Sequence, residues 1–372
     1  MGQNYIIHTE EEIRRIRVAA SMTAQARDRI AENVHPGMTT FDLDEIAGEI
    51  IRSMGGVPTF LNYCGYPGNI CISVNDEVVH GIRSRTRFIL EGDIVSVDVG
   101  VTFDGAVGDC AKTVYAGKGP VPEDIQRLLS ETERALEEGI KAAHRGGHVR
   151  DISAAVEKVA NAAKLGIVRE YVGHGCGIRL HEPPDVPNFT LLRKGPELQS
   201  GMVLCVEPML NLGTHKVYVE PDGWTVRTKD GAPSAHFEHM ILITENGTEV
   251  LTRVSRSHQG RWSRPGTSPE HHVQGRTAQQ AQRAGPHQRQ DASEFHQDPA
   301  RGYGHSGDLP LRSHQRQDHF PAEISFFCAV SKRKNMRKIR TSGVFIEKKA
   351  FSWKEHFLFL PAKTISFWRS GI

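Results

Sequence analysis

Hydrophobic positions in this chain follow a helical period and then a strand period, and this succession occurs twice. Apolar residues recur every three to four positions after Thr9 and after Thr39, which predicts two amphipathic helices, the first reaching about Asn33. Each begins with the capping-box spacing, a hydroxyl residue followed three positions later by an acid. Two more helices are predicted, one whose first turn holds Pro122 and the acids after it, and one capped by Asp151.

Short strand-like segments follow each pair of helices. The repeated order of helix, helix and strands predicts an α+β fold of two similar halves around a mainly antiparallel sheet. Tight turns are predicted at Asp104–Gly105, Asp230–Gly231 and Asn246–Gly247, because both central residues of a type I′ hairpin turn need positive φ. The strand-like segments of the second half lie near 167–174, 202–208, 224–229, 234–243 and 248–252.

The stretch 93–113 contains the clearest hairpin. Valines at every second position from Val95 to Val101 predict a strand with one apolar face. A turn at 104–105 places position 100 opposite 109, so that Asp98 lies diagonally across from Asp109, roughly 7 Å away on one face. Two carboxylates so placed repel each other unless a cation lies between them. The pair therefore indicates a divalent metal site, although two solvated aspartates on an exposed face fit the same pattern.

The charge of the chain changes near residue 253. The 372-residue sequence has a net charge of only +2, but residues 1–252 carry a balance of −10 and residues 253–372 a balance of +12. Apolar periodicity ends at the same point, and residues 253–320 are rich in Gln, His, Arg, Gly, Ser and Pro. We therefore predict a catalytic domain over 1–252 and a low-complexity, basic, disordered tail over 253–372 that is dispensable for folding.

The tail also allows two other interpretations. The basic run at 331–340 has the composition of a contact with nucleic acid or the ribosome, and the abrupt change at 253 is also typical of an out-of-frame or read-through translation product. The first residues lack the apolar core of a signal peptide, and no apolar run approaches membrane-spanning length. We therefore expect a cytoplasmic protein that makes no membrane contact.

Three further segments carry candidate metal ligands. His174 and His181 lie seven positions apart in a glycine-rich stretch, a spacing unlike a helix-face ligand pair, so we expect one to bind metal and the other to face substrate. Glu207 and Glu238 each fall in an otherwise apolar predicted strand, where an unpaired carboxylate is costly. A salt bridge would explain either one alone. With the two aspartates they make four carboxylates and one imidazole, which suits two Mn, Fe(II), Co or Zn ions.

These segments resemble type I methionine aminopeptidases of the pita-bread metallopeptidase family. The resemblance covers roughly residues 5–252, and the spacing shows neither the insertion of the type II enzymes nor the large preceding domain of prolidases, so the bacterial type fits best. The family's ordered ligands Asp, Asp, His, Glu and Glu are matched by Asp98 in SVDVG, Asp109 in GDCAKT, His174 in GHGCG, Glu207 in VEPML and Glu238 in HFEHMILIT.

The resemblance implies how the ligands are divided between two divalent metal ions, Co, Mn, Fe or Zn. It implies that Asp109 and Glu238 bridge both ions and that Asp98 serves one of them. His174 and Glu207 are then the ligands of the other ion.

The resemblance also implies the reaction and three catalytic residues. The activity is metal-dependent hydrolysis of the N-terminal methionine from peptides and nascent proteins, with a preference for a small second residue. Glu207 accepts the proton of the attacking water, His181 donates a hydrogen bond to the oxyanion, and His80, at the end of a predicted strand, positions the peptide beyond the scissile bond.

A pocket for the methionine side chain is implied as well. This chain departs from the family at two positions near the pocket, since Leu180 stands where Phe is frequent and Phe60 where a small residue is common. Core packing alone would explain any one of the pocket residues, which are Tyr63, Tyr66, Cys71 and Trp224.

The expected partners are the N-termini of nascent polypeptides at the ribosome, and the protein is expected to be a monomer. Two other functional classes share this fold. A binding module that has lost catalysis would usually have lost ligands, and a metal-depleted assay would separate it from an enzyme. A dipeptidase or Xaa-Pro hydrolase would reveal itself in a panel of peptides.

Overall fold

A computed structural model of the protein describes residues 5–253. The predicted order of helix, helix, strands, twice over, is confirmed. The capping box of the first helix is present, with Thr9 Oγ1 accepting from Glu12 N at 3.3 Å and the Glu12 carboxylate accepting from Thr9 N at 2.8 Å. The helices are α1 (Glu10–Glu32), α2 (Thr40–Ser53), α3 (Glu123–Ala142) and α4 (Val149–Ala162).

The start of α4 differs from the prediction. His148, not Asp151, is the N-cap residue, and the helix begins at Val149. Asp151 lies in the first turn and its carboxylate accepts the backbone N–H of His148 at 2.7 Å. Asp151, from which the helix start was predicted, therefore stabilises the helix from within its first turn, by accepting a hydrogen bond from the N-cap residue.

Fifteen strands were found in the described residues, most of them short. They are β1 (Val57–Pro58), β2 (Cys71–Val74), β3 (Glu77–Val79), β4 (Asp93–Phe103), β5 (Ala106–Ala116), β6 (Gly166–Ile167), β7 (Gly173–Gly175), β8 (Glu182–Val186), β9 (Val203–Val206), β10 (Met209–Asn211), β11 (Val217–Val219), β12 (Val226–Thr228), β13 (Ser234–His236), β14 (His239–Thr244) and β15 (Gly247–Val250). All of the pairings between them are antiparallel.

Each pair of helices covers one sheet. In the first half, β4 pairs with β1, β2 and β5, and its four valines are buried against α2 and the end of α1. In the second half, α3 and α4 pack on the five-stranded sheet β15-β14-β9-β7-β8. The start of α1 shares a third apolar cluster with residues of β9 and β14, so the halves meet across it.

Two extended segments of the second half are each interrupted, at positions that lie opposite each other. β9 and β10 are separated by Glu207 and Pro208, and β13 and β14 by Phe237 and Glu238. β9 pairs with β14 and β10 with β13 in one continuous register, so positions 207 and 238 face each other across the gap. The sequence predicted both glutamates inside strands. In the structure they lie where the strands break, which removes their backbone from the regular ladder.

Two of the predicted turns need correction. Asp230–Gly231 does not close a hairpin, because β12 and β13 on either side of it belong to different sheets. The Asp230 carboxylate instead accepts the backbone N–H of Thr214 at 2.6 Å. The last hairpin turns at 245–246, and Gly247 is already the first residue of β15, paired with Thr244.

No helix within residues 5–253 is long and apolar enough to cross a membrane. The predicted tail falls outside the described residues from 254 onward, so its disorder and the domain boundary at 252 stay predictions.

Candidate active site and metal centre

The hairpin of β4 and β5 brings the two aspartates together in the predicted register. Gly100 pairs with Asp109 and Phe103 with Ala106, and the turn residues Asp104 and Gly105 have φ of 50° and 70°. Asp98 pairs with Ala111 and so lies diagonally across from Asp109. This hairpin contributes both aspartates from one face while the valines on the other face are buried in the core.

The segment around Glu238 is attached to the same hairpin. Glu238 N donates to Ala111 O at 3.1 Å, and His236 N donates to Thr113 Oγ1 at 2.9 Å. Thr113 Oγ1 in turn donates to His236 O at 2.8 Å. These contacts hold the break between β13 and β14 against β5, next to Asp109, and the opposing break brings Glu207 to the same place.

His174 is oriented as a metal ligand. Its Nδ1 lies 2.9 Å from Gly175 O, and because a carbonyl can only accept, Nδ1 carries the hydrogen. The lone pair is then on Nε2, which lies 3.4 Å from Glu207 Oε1 and 3.8 Å from Asp109 Oδ2. A backbone carbonyl that fixes the tautomer in this way is common for metal-bound histidines.

All seven of the predicted ligand and catalytic residues line one cavity of about 750 Å³. They come from both halves of the chain, so the site exists only when both halves are folded. The residues are His80, Asp98, Asp109, His174, His181, Glu207 and Glu238.

The four carboxyl groups that we predict as metal ligands are difficult to ionise. Burial raises the pKa of Asp98 to about 6. Burial, and then the charges of Glu238 and Asp98, raise the pKa of Asp109 well above its usual value. The pKa values of Glu207 and Glu238 are also well above theirs, mainly through burial and then through neighbouring carboxylates. This concentration of buried negative charge requires protons or cations to balance it.

The donor atoms fit divalent metal ions. Oδ1 of Asp98, Oδ1 of Asp109 and Oε1 of Glu238 are buried and have no hydrogen-bond partner in the described chain. Donor atoms of Asp109, His174 and Glu238 lie within 4.8 Å of one another. Carboxylate oxygens with one imidazole nitrogen form the donor set that Mn, Fe, Co and Zn accept, so these residues, together with Asp98 and Glu207, could hold the metal ions.

The two histidines that we predict to face the substrate lie close to the predicted metal ligands. His181 Nδ1 lies 3.0 Å from Tyr63 Oη, and its ring centroid lies 4.3 Å from that of His174. Burial, and then His174 and His80, keep the pKa of His181 well below its usual value. Burial also lowers the pKa of His80 to about 3, and its ring packs edge-on against Tyr171. Both imidazoles are therefore neutral at pH 7.

The four predicted pocket residues pack next to residues that line the cavity. Tyr66 is fully buried, with its hydroxyl donating to Gly81 O at 2.7 Å, and its ring meets Trp224 edge-on. Cys71 is buried in β2 directly opposite Asp98. Tyr66, Cys71 and Trp224 belong to one apolar cluster with Phe60, which does line the cavity, and Tyr63 packs against that cluster. Direct contact of Tyr63, Tyr66, Cys71 or Trp224 with substrate stays a prediction.

Sequence reasoning missed two residues of the site. His236 Nε2 lies buried 3.6 Å from Glu207 Oε2, and the sulfur of Cys205 lies among the donor atoms of Asp109, His174 and Glu238. Each precedes one of the two glutamates by two positions, and alternate residues of a strand share a face. Strand alternation was therefore the signal that could have found both.

Comparison with known proteins places the chain among peptidases. Residues 14–245 match the model of Metallopeptidase family M24. The methionine aminopeptidase of Aquifex aeolicus is 43% identical over 256 residues, which cover 67% of this chain and 98% of that protein. The methionine aminopeptidase structure from Thermotoga maritima has 40% identity and a TM-score of 0.65 over 67% of this chain and 100% of that one.

A second solved structure agrees. The methionine aminopeptidase from Rickettsia prowazekii has 37% identity and a TM-score of 0.65, again over 67% of this chain and 100% of that one. The matched part coincides with the region that carries the cavity and all seven residues around it. The chain therefore belongs to metallopeptidase family M24, among the methionine aminopeptidases.

Proposed function

We propose that this protein is a metal-dependent aminopeptidase that hydrolyses the N-terminal methionine of peptides and nascent proteins and prefers a small second residue. The observation that supports it most is the convergence of Asp98, Asp109, His174, Glu207 and Glu238 on one cavity beside two neutral histidines. The cytoplasm is the proposed location, and nascent chain N-termini at the ribosome are the proposed partners of a monomeric enzyme.

Divalent ions held by the five ligands would supply Lewis acidity toward the scissile carbonyl and a water nucleophile at neutral pH. The chain itself provides the proton acceptor. Burial, and then Asp98, raise the pKa of Glu207 well above its usual value, which makes its carboxylate more basic than that of a solvent-exposed glutamate. Glu207 is therefore suited to take a proton from the water and to pass it to the leaving amine.

His181 provides a neutral hydrogen-bond donor at the cavity wall. The Tyr63 hydroxyl, 3.0 Å from Nδ1, can donate to that nitrogen, and in this arrangement the imidazole hydrogen is on Nε2. That hydrogen can be donated to the substrate carbonyl oxygen as negative charge develops on it. The low pKa keeps the ring neutral, so the donor does not lose its tautomer by protonation in the working pH range.

A panel of peptides tests the proposed function. Met-Gly and Met-Ala peptides should be cleaved and Met-Lys peptides should not, when metal-free protein is supplied separately with Co, Mn, Fe(II) or Zn. The family resemblance implies this selectivity, through a peptide path past His80 that admits only a small second residue. Equal turnover of Met-Lys would contradict the preference for a small second residue, and a preference for Xaa-Pro peptides would contradict the methionine specificity.

Replacing His181 by Ala should lower kcat by roughly 10²–10³-fold, the usual cost of losing one oxyanion donor. The metal content measured by elemental analysis should stay unchanged, because the proposal gives His181 no ligand role. Loss of metal in this variant would show that the roles of His174 and His181 have been assigned incorrectly.

A further inference from the structure

The segment before α1 reaches the active-site loop through a buried pair of side chains. Nε2 of His8 lies 3.1 Å from Oε2 of Glu182, and each residue is only 5% exposed. The two atoms are close enough for an ion pair but are not aligned as a hydrogen bond, and neither has another hydrogen-bond partner in the residues described. Glu182 directly follows His181 in the sequence, so this contact lies one residue from the proposed oxyanion donor.

Glu182 holds the loop that carries His181. Its Oε1 accepts the backbone N–H groups of Ile178 and Arg179 at 3.1 and 2.8 Å, and its backbone pairs with Gly175 where β7 meets β8. The loop 176–181 is thus fixed at its base by the strand pair and in its interior by one oxygen of this carboxylate. The other oxygen of the same carboxylate faces His8.

His8 is itself held firmly against this loop. Its backbone N–H donates to Gly201 O at 3.0 Å, and its ring lies against Gly177, where an added Cβ would come within 2.7 Å of Cε1 and Nε2. Only glycine allows so close an approach. Gly177 O also accepts the backbone N–H of Val107 in β5 at 2.7 Å. The His8 imidazole is therefore packed tightly against the loop at Gly177.

We propose that His8 and Glu182 are positioning residues, which act through the β7–β8 loop to hold His181 at its place beside His174 and Tyr63. The inference deepens the proposed function, because it depends on His181 being the oxyanion donor. Without the imidazole, Glu182 Oε2 would be a buried carboxylate oxygen with no partner, a costly state. Turning the carboxylate away would relieve that cost but would release the amides of 178 and 179, and His181 would move with the loop.

The test compares His8→Ala, His8→Lys and Glu182→Gln in the full chain saturated with metal. His8→Ala should lower kcat for a Met-Gly peptide by roughly 10- to 100-fold with little change in KM, because a misplacement of about 1 Å can cost 10²-fold. His8→Lys places an ammonium group that can reach Glu182 at this position and should recover most of kcat. Glu182→Gln keeps an acceptor for the loop amides but loses the charge, and should resemble His8→Ala.

Arg17→Gln is the matched control. Arg17 also joins α1 to a distant element, because its guanidinium makes hydrogen bonds to both oxygens of the carboxylate of Glu249 in β15. That pair, however, is half exposed. This variant should keep the kcat of the wild type.

Two results would overturn the inference. One is a His8→Ala protein whose thermal midpoint falls while its kcat, measured well below that midpoint, is unchanged. The other is an equal loss of kcat in His8→Lys and His8→Ala. Glu182→Gln decides the question in the same way if His8→Ala does not fold. A wild-type protein that fails to cleave Met-Gly would instead refute the proposed function itself.

Discussion

Replacing Glu207 by Gln should lower kcat for a Met-Gly peptide by roughly 10²–10⁴-fold, the range for losing a general acid–base group. Gln has nearly the same shape, but it cannot accept the proton of the attacking water. It also removes one negative charge next to His174 Nε2, 3.4 Å away, so metal affinity should fall as well. Steady-state rates at saturating metal, together with metal content, separate the two effects.

Glu249→Gln is a suitable control for this variant, because Glu249 is a half-exposed carboxylate of β15 outside the cavity. It should leave both kcat and metal content unchanged. A Glu207→Gln protein with the metal content and the kcat of the wild type would contradict the role of Glu207 as proton acceptor.

Removing the metal ions should lower the thermal midpoint, and the loss should be larger at pH 8 than at pH 5.5. Burial raises the pKa of all four acidic donors, that of Asp98 to about 6. The folded metal-free chain therefore holds protons that the unfolded chain has already released, so its stability falls as the pH rises from about 4 through these folded-state pKa values. Bound cations take the place of those protons and remove the cost.

The size of the metal effect follows from mass action. Metal at one hundred times its Kd stabilises the folded state by about 2.7 kcal/mol per site. For a domain of this size that corresponds to about 5–10 °C in the thermal midpoint. Differential scanning fluorimetry with and without chelator at both pH values would measure the increment.

The buried histidines make the folded chain less stable as the pH falls, which is opposite to the effect of the buried carboxylates. The quantity to compare between the two pH values is therefore the metal increment, the difference in thermal midpoint with and without metal. Burial lowers the pKa of His80 and of His239 to about 3. Each stays neutral in the folded state while the unfolded chain becomes protonated below about pH 6.5, so both reduce stability as the pH falls, with or without metal.

Glu238→Gln should reduce the metal increment. An increment of equal size at pH 5.5 and pH 8 would contradict the explanation by buried carboxylates.

Local patterns were sufficient to predict the aspartate hairpin. The turn chemistry of Asp104–Gly105 fixes the register, and the register fixes which face Asp98 and Asp109 occupy. Every step of that inference uses residues within one short stretch. The capping boxes of α1 and α2 were predictable for the same reason.

The breaks at Glu207 and Glu238 could not be predicted from either strand alone. Each interruption depends on the one opposite to it, and that pairing joins segments distant in the sequence. The prediction of a hairpin turn at Asp230–Gly231 was wrong for a related reason, because the two flanking strands pair with strands of two different sheets. The family resemblance supplied the order of the ligands, but the strand breaks that bring Glu207 and Glu238 together had to come from the structure.

The paired interruption of the sheet also makes the metal centre sensitive to strand alignment during folding. A slip of one residue between β9 and β14 would turn the side chains to the opposite face of the sheet. Glu207 would then point away from His174 and Asp109, and the donor set would be incomplete. Pairings between distant segments are slow to form, so misaligned chains are a realistic hazard for this topology. Metal retention would therefore distinguish molecules with the correct alignment of β9 and β14 from molecules in which the two strands had slipped.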